Sequence, residues 1–420
     1  MQEVLKEELK KERVIVIAVD TDDNGKNFGI TIDASLKEME DLLETAGAEP
    51  VGRMVQNRER ASSATYFGKG KVEELKAMIA ELDADAIAAD DELSPAQMRN
   101  LEDELKVKIC DRTMVILDIF AKHARTKEGK IQVELAQLRY ASQRLTGKGI
   151  AMSRLGGGIG TRGPGEKKLE QDRRLIRDRI SHLKEELEDI VKNREVLRKQ
   201  RERNMVPVIA IVGYTNAGKS TLLNKLTDSD ILAADMLFAT LDATTRNLKL
   251  PSGQEILLTD TVGFINKLPH HLIDAFRSTL EEANYADVIL HVVDSSNSNC
   301  ATQMAVVYDT LNRLKCIGKP VITAFNKIDK IDTGSEEPVI LKDLRADYTV
   351  KISAKYGESL DELTALIEKV LSESKVLIEK IIPYSDGAYL NQIRKFGQIV
   401  EEEYRADGTY IRAYVPRRLV

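Results

Sequence analysis

The sequence predicts a multidomain α/β chain: two units of alternating strands and helices, a charged helical hairpin between them, and a small α/β module at the end. Three observations carry that expectation. Strand-length apolar runs alternate with amphipathic helical patterns over residues 1–121 and again over 205–372. A partial heptad occupies the stretch 122–204 between them. A glycine-rich motif stands directly after the first apolar run of the second unit, where a strand hands over to a helix. At 420 residues there is chain enough for roughly two to four cores, which accommodates boundaries at 1–121, 122–204, 205–372 and 373–420.

In the first unit, "VIVIAVD" (14–20) is a buried-strand run, followed by an amphipathic helix over 35–48. Ser35 and Glu38 have the spacing of a capping box and place the start of that helix at Ser35. "PVGRMVQ" reads as a second strand, 71–82 as a second helix and "ADAIAAD" as a third strand. A third helix over 94–105 is opened by Ser94 and Pro95. This βαβ spacing predicts a short, mostly parallel sheet.

Residues 131–146 are helical, with Ile131, Leu135, Leu138 and Leu145 near one stripe. Beyond the glycines, Leu169, Ile176, Leu183, Ile190 and Leu197 recur every seventh residue, with Ile180 and Leu187 filling alternate positions. Arg173 and Arg194 break the seam. A broken seam suits an antiparallel hairpin in a monomer better than a long dimeric coiled coil. The glycine-rich stretch "RLGGGIGTRGPGEKK" (154–168) is then its tip.

Composition narrows the function classes. Hydrophobic content of 42% and charged content of 31% are those of an ordinary soluble protein. The longest apolar runs are far short of a membrane span, and residues 1–13 are too acidic and polar for a signal peptide. Three cysteines form no C-x-x-C pair and five histidines no H-E-x-x-H, so a reducing cytoplasmic setting without a structural metal is expected. Without Trp, an aromatic-lined sugar or base groove is disfavoured. The net charge of −6 hides a segment of opposite sign: residues 122–184 carry 16 Lys and Arg against 6 Asp and Glu, a net +10. Such asymmetry points to a polyanionic partner.

The chemistry lies in "GYTNAGKST", Gly213, Tyr214, Thr215, Asn216, Ala217, Gly218, Lys219, Ser220 and Thr221. Its G-x-x-x-x-G-K-S spacing between strand and helix is that of a phosphate-binding loop. The glycines let backbone N–H groups curl toward phosphates, Lys219 reaches the terminal phosphates, and the Ser220 hydroxyl suits Mg²⁺. "DTVG" (Asp260, Thr261, Val262, Gly263) ends a strand, so that its carboxylate can hold Mg²⁺ through water and the Gly263 N–H can meet the terminal phosphate. "NKID" (Asn326, Lys327, Ile328, Asp329) follows another buried strand, and Asp329 can accept hydrogen bonds from the ring N–H and the amine of guanine. Buried polar groups matched this way reject a wrong base by about 10⁴–10⁵-fold. "SAK" (Ser353, Ala354, Lys355) brings a backbone N–H to the guanine carbonyl. Together these predict a Ras-like P-loop GTPase domain. In "FATLDATTR" (238–246), Thr240, Thr244 and Thr245 are all able to close over Mg²⁺ and the γ-phosphate, and spacing alone does not choose among them.

"GYTNAGKS", "FATLD" (Phe238, Ala239, Thr240, Leu241, Asp242), "DTVGF" and "NKID", preceded by "RLGGGIGTRGPGE", closely resemble the HflX family of translation-factor-related GTPases. The resemblance runs through nearly the whole chain. It implies that Thr240 is the Mg²⁺-ligating threonine and that Asn216 could ligate K⁺. It also implies binding to the large ribosomal subunit, with a role in splitting or rescuing stalled ribosomes and the hairpin loop reaching toward the peptidyl-transferase region.

Phe264 stands where many GTPases carry a water-orienting Gln, and a phenyl ring makes no hydrogen bond to water. Hydrolysis by the isolated chain is therefore expected to be slow, with a partner completing the site. Gly158, Gly160 and Gly163 spell the spacing of a dinucleotide loop, but a helix precedes them and no returning strand follows. Arg154, Arg162, Lys167, Lys168, Arg173 and Arg174 flank them instead, which suits a folded RNA surface. The rival readings are a GTP-regulated RNA-binding or RNA-modification scaffold and a signalling GTPase whose hairpin binds protein. "YFGKGKVEEL" (66–75) lacks the full spacing of an ATP loop and reads as a plain helix start.

Overall fold

The computed structural model describes residues 11–21, 29–145, 164–204, 206–227, 237–238, 244–269, 272, 282–316, 318–331, 342–373, 375–416 and 419. The chain is an α/β multidomain protein built on three sheets.

The first unit runs β1 (Arg13–Asp20), α1 (Ile32–Ala46), β2 (Glu49–Asn57), α2 (Lys69–Leu82), β3 (Ala86–Ala89), α3 (Pro95–Leu105), β4 (Lys108–Asp111) and α4 (Arg112–His123). Its strands are all parallel, in the order β2-β1-β3-β4. Val14 to Val19 of β1 are buried in succession, as a strand covered on both faces requires. Ser94 caps α3 in a capping box with Gln97, and Pro95 takes the first turn.

The start of α1 differs from the sequence expectation. Thr31 is the cap, accepting from the Ala34 N–H, and Ser35 lies inside the helix. Ser35 and Glu38 copy the spacing of a capping box but have other partners: Ser35 Oγ donates to Asp90 at 2.6 Å, and Glu38 receives Arg112 and Tyr214. β4 and α4 also add to the expected elements.

Helices α5 (Lys127–Leu145) and α6 (Pro164–Asn204) form the hairpin. Ile131 and Leu135 of α5 are buried against Leu183 of α6, with Leu138, Ile180, Leu187 and Ile190 around them. Arg194 breaks the heptad because it pairs with Glu128 at 3.0 Å across the hairpin. Arg179 does the same with Glu134, making two bonds at 2.7 and 3.0 Å. Near the far end of α5, Tyr140 and Arg144 both donate to Asp111 of the first unit, at 2.7 and 2.5 Å. The glycine-rich tip lies outside the described residues.

The second unit comprises β5 (Val208–Gly213), α7 (Lys219–Thr227), β6 (Thr244–Lys249), β7 (Glu255–Asp260), α8 (Glu282–Tyr285), β8 (Val288–Asp294), α9 (Cys300–Arg313), β9 (Val321–Asn326), β10 (Tyr348–Lys351) and α10 (Leu360–Glu373). The sheet order is β10-β9-β8-β5-β7-β6, parallel apart from the edge strand β6. The closing module has β11 (Lys375–Ile382), α11 (Gly387–Phe396), β12 (Gln398–Arg405) and β13 (Gly408–Pro416) in an antiparallel sheet. Among the described residues no helix is long and apolar enough to cross a membrane.

One apolar core joins the first and second units. Leu36, Met39, Ile116 and Phe120 belong to the same buried cluster as Tyr214, Phe238, Val262, Phe264 and Ile265. That shared core fixes where the site sits.

Candidate guanine-nucleotide site

The phosphate-binding loop leaves β5 at Gly213 and enters α7 at Lys219. Gly218 is left-handed at φ 93°, and a Cβ there would collide with Asn326 Nδ2, so the loop needs glycine on two counts. Asn216 is exposed and also left-handed, at φ 59°. The Lys219 ammonium is buried and donates to the carbonyls of Gly213 at 3.2 Å and Tyr214 at 2.8 Å. Burial pushes its pKa down to about 8, against the pull of Asp260. Ser220 Oγ donates to Asp260 at 2.7 Å, bringing a hydroxyl and a carboxylate together at the mouth of the loop. This hard-oxygen pair fits Mg²⁺. Thr221 follows in the first turn of α7.

At the base end, Asn326 ties two segments together. Its Nδ2 donates to the Ala217 carbonyl at 2.8 Å, and its Oδ1 accepts from the Ala354 N–H at 2.9 Å. Ser353 Oγ donates to Asp329 at 2.6 Å, which holds the carboxylate in place while leaving acceptor capacity for a base. Lys327, left-handed at φ 63°, pairs with Asp294 at 2.8 Å, and Ile328 begins a single 3₁₀ turn after it. Lys355 lies over the Tyr356 ring at 5.2 Å.

Some expected residues turn away from the nucleotide side. Thr261 Oγ1 donates to the Ile211 carbonyl at 2.8 Å, and Val262 sits in the apolar core, so any contact they make with a nucleotide is through the backbone. Thr245, one of three threonines open to the Mg²⁺ role, lies in β6 with its hydroxyl 3.0 Å from that of Thr259. Thr244 faces Asp260 across the same ladder. Ala239, Thr240, Leu241 and Asp242 lie outside the described residues.

The structure adds residues that motif reading missed. Tyr214 Oη bonds to the Glu38 carboxylate and accepts from the Asn266 N–H at 2.7 Å. Arg112, only 1% exposed, pairs with Glu38 and Asp90 and reaches the Asn266 carbonyl at 3.1 Å. Burial works against the charge on Asp90, but Arg112 and Lys267 outweigh it and hold its carboxyl below the usual range. Phe238 meets Phe120 of α4 edge to face, centroids 4.7 Å apart. The first unit thus touches the phosphate loop, the "FATLD" segment and the run after "DTVG". No periodicity joins Glu38 or Arg112 to residues 150 or more positions away; a burial-compatible charge on an apolar helix face was the only available hint.

Residues 33–121 match the family model described as GTP-binding GTPase N-terminal, 123–201 that of the GTP-binding GTPase middle region, and 208–327 that of the 50S ribosome-binding GTPase. A GTPase HflX of Lacrimispora saccharolytica is 61% identical over 419 residues, spanning 100% of this chain and 97% of the relative. The chain belongs to the HflX family of GTPases. Other HflX relatives include that of Caldanaerobacter subterraneus, 47% identical over 96% of this chain and 91% of its own. The HflX of Escherichia coli is 39% identical, covering 89% and 88%. The family resemblance read from the motifs therefore stands. The matches run through the first unit and the hairpin as well as the nucleotide loop.

Proposed function

We propose that this HflX-family GTPase binds the large ribosomal subunit, hydrolyses GTP there, and splits or rescues stalled ribosomes under stress. Residues 213–221, 238–242, 260–263, 326–329 and 353–355 hold the nucleotide. Lys219 places its ammonium against the terminal phosphates, the Gly263 N–H meets the γ-phosphate, and Asp329 accepts from the base. Ser220 and Thr240 hold Mg²⁺, which supplies charge neutralisation on the phosphates, and Asn216 ligates K⁺. The chain acts as a cytoplasmic monomer with divisions at 121/122, 204/205 and 372/373. The basic hairpin, carrying Arg162, Lys167 and Lys168 by its glycines, is its contact with ribosomal RNA.

The observation that carries this reading is Phe264. It is 2% exposed, and its backbone is zipped to the phosphate loop through Thr215 N–H to Phe264 O at 2.7 Å and Phe264 N–H to Gly213 O at 3.1 Å. A buried phenyl group at this place leaves the attacking water without a side-chain partner from position 264. The 50S ribosome-binding description of the matching family nominates the body that completes the site. The test is GTP turnover of the purified chain in Mg²⁺ and K⁺, alone and with large subunits. Stimulation of about 10³-fold or more is expected, the lower end of in-trans activation of GTPases. Fast turnover without ribosomes, or no stimulation with them, refutes it.

A further inference from the structure

A buried hydroxyl that makes no hydrogen bond is uncommon in a folded protein, and one stands in the phosphate-binding loop. Thr215 is 6% exposed, and its Oγ1 is buried without a hydrogen-bond partner. Neighbouring hydroxyls are engaged: Ser220 with Asp260 at 2.7 Å, Thr261 with the Ile211 carbonyl at 2.8 Å, and Thr259 with Thr245 at 3.0 Å. Val has nearly the shape of Thr and would fill the same space with no polar atom to leave unpaired. A hydroxyl kept here without a protein partner is available to something the loop receives.

The surroundings of Thr215 place it at the phosphate end of the site. Its backbone N–H donates to the Phe264 carbonyl at 2.7 Å, which clamps it to the residue standing in place of a water-orienting Gln. Its Cα and Cγ2 each lie 2.9 Å from the position a Cβ would take on Gly263, and Lys219 Nζ lies 3.0 Å from the same point. Thr215 is thus a close neighbour of both groups read as meeting the terminal phosphate, the Lys219 ammonium and Gly263. It is the methyl that packs on Gly263. Because the hydroxyl is tied to nothing, a turn of about 120° about χ1, from one staggered well to the next, exchanges the two with no hydrogen bond lost. A hydroxyl both donates and accepts, which the phenyl group of Phe264 does not.

We propose that Thr215 is a catalytic residue of GTP hydrolysis, its Oγ1 accepting a hydrogen bond from the attacking water and holding that water in line with the γ-phosphorus. The water oxygen bonds to the γ-phosphorus while the bond from phosphorus to the β–γ bridging oxygen breaks, and the electron pair of that bond leaves with GDP. One water proton stays on the inorganic phosphate and the other passes to solvent. Thr215 orients the water and is neither consumed nor ionised. Stimulation by a large subunit then acts on a water that the chain already holds at one point. The inference rests on reading residues 213–221 as the guanine-nucleotide site.

The test is single-turnover GTP hydrolysis by the full chain in Mg²⁺ and K⁺, with and without large ribosomal subunits, beside binding of fluorescent GDP and a non-hydrolysable fluorescent GTP analogue. Thr215→Val removes the hydroxyl and keeps the shape, whereas Thr215→Ser keeps the hydroxyl and removes the methyl. Thr215→Val is expected to lower the hydrolysis rate constant about 10²-fold, the cost of misplacing a reacting atom by about 1 Å. Both nucleotides should still bind within about twofold of wild type, as for an interaction made only in the transition state, and Thr215→Ser should recover at least about tenfold of the lost rate. A Thr215→Val rate near that of wild type, or equal rate losses in the Val and Ser variants, overturns the proposal. Weaker binding of the triphosphate analogue to Thr215→Val, alone or together with GDP, also overturns it, because the hydroxyl would then serve the bound ground state. A wild-type chain that binds neither nucleotide overturns the site assignment and the proposal with it.

Discussion

The hydrogen bonds of Asn326, Asp329, Ser353 and Ala354 stay within residues 217–358, whereas those of Tyr214, Asn266 and Lys267 cross to Glu38, Asp90, Asp91 and Arg112. The base end of the site is thus finished inside one domain, and the phosphate end is finished by another. Which base is accepted is a local property. The proposed phosphate end, by contrast, is in hydrogen-bond contact with the first unit through Tyr214 and Asn266.

The sharpest way to break that comparison is at Asp329. Asp329→Ala removes two hydrogen bonds from guanine to a charged acceptor, each worth about 1.5–3 kcal/mol. GTP affinity should fall by about 10²-fold or more, with preference over ATP lost, and the docking of the first unit should be untouched. Competition binding with both nucleotides checks this; retained guanine preference would move base recognition elsewhere.

A smaller effect belongs to the phosphate end. Because burial pushes Lys219 down to about 8, it is charged below that pH and neutral above it. Phosphates favour the ammonium, so binding takes up a proton above pH 8. GDP affinity should be level from pH 6.5 to 7.5 and then fall by up to about tenfold per unit as pH rises past 8. The unfolded lysine stays charged to near 10.5, so the cost of burying the ammonium is lifted over the same window and the unliganded fold gains stability there. Loss of affinity with gain of stability separates this effect from unfolding, and titrations of both across pH 6.5–9.5 test it. A flat affinity profile would mean that the Lys219 ammonium stays charged across this window.

The mildest perturbation leaves the comparison standing and calibrates it. Ser94→Ala deletes the cap of α3, a helix packed in an apolar cluster separate from the core shared with the second unit, at a cost of about 1 kcal/mol. Thermal unfolding should register that cost, with nucleotide affinities unchanged. A change in affinity would mean that any weakening of the first unit reaches the nucleotide, and not only its contact at residues 214 and 264–267.

The same division explains what was legible in the sequence. Strands β5, β7, β8 and β9 are buried apolar runs, and the functional groups lie at fixed offsets from their ends, so spacing located them. β6, "TTRNLK", is a half-exposed edge whose polar residues carry no strand pattern. α1 was placed late because Ser35 and Glu38 imitate a cap while their side chains serve Asp90, Arg112 and Tyr214. The polar contact between the two units is illegible for a more basic reason. Each member is an ordinary charge on its own element, and only the packing of one unit on another gives Glu38, Arg112 and Lys267 a common address.

Helix α6 has a mechanical consequence. Its 41 residues make a rod about 60 Å long at 1.5 Å per residue, and the chain passes from its end at Asn204 to the start of β5 at Val208, the strand that delivers the phosphate loop. Arg194, about three turns short of that end, ties the rod to Glu128 at 3.0 Å and stands 4.0 Å from Glu282 of the nucleotide-binding unit. With the fulcrum near that end, a tilt of about 10° at the base sweeps the far end through about 10 Å. Read in reverse, a load applied at the glycine-rich end arrives at the strand of the phosphate loop with a long mechanical advantage.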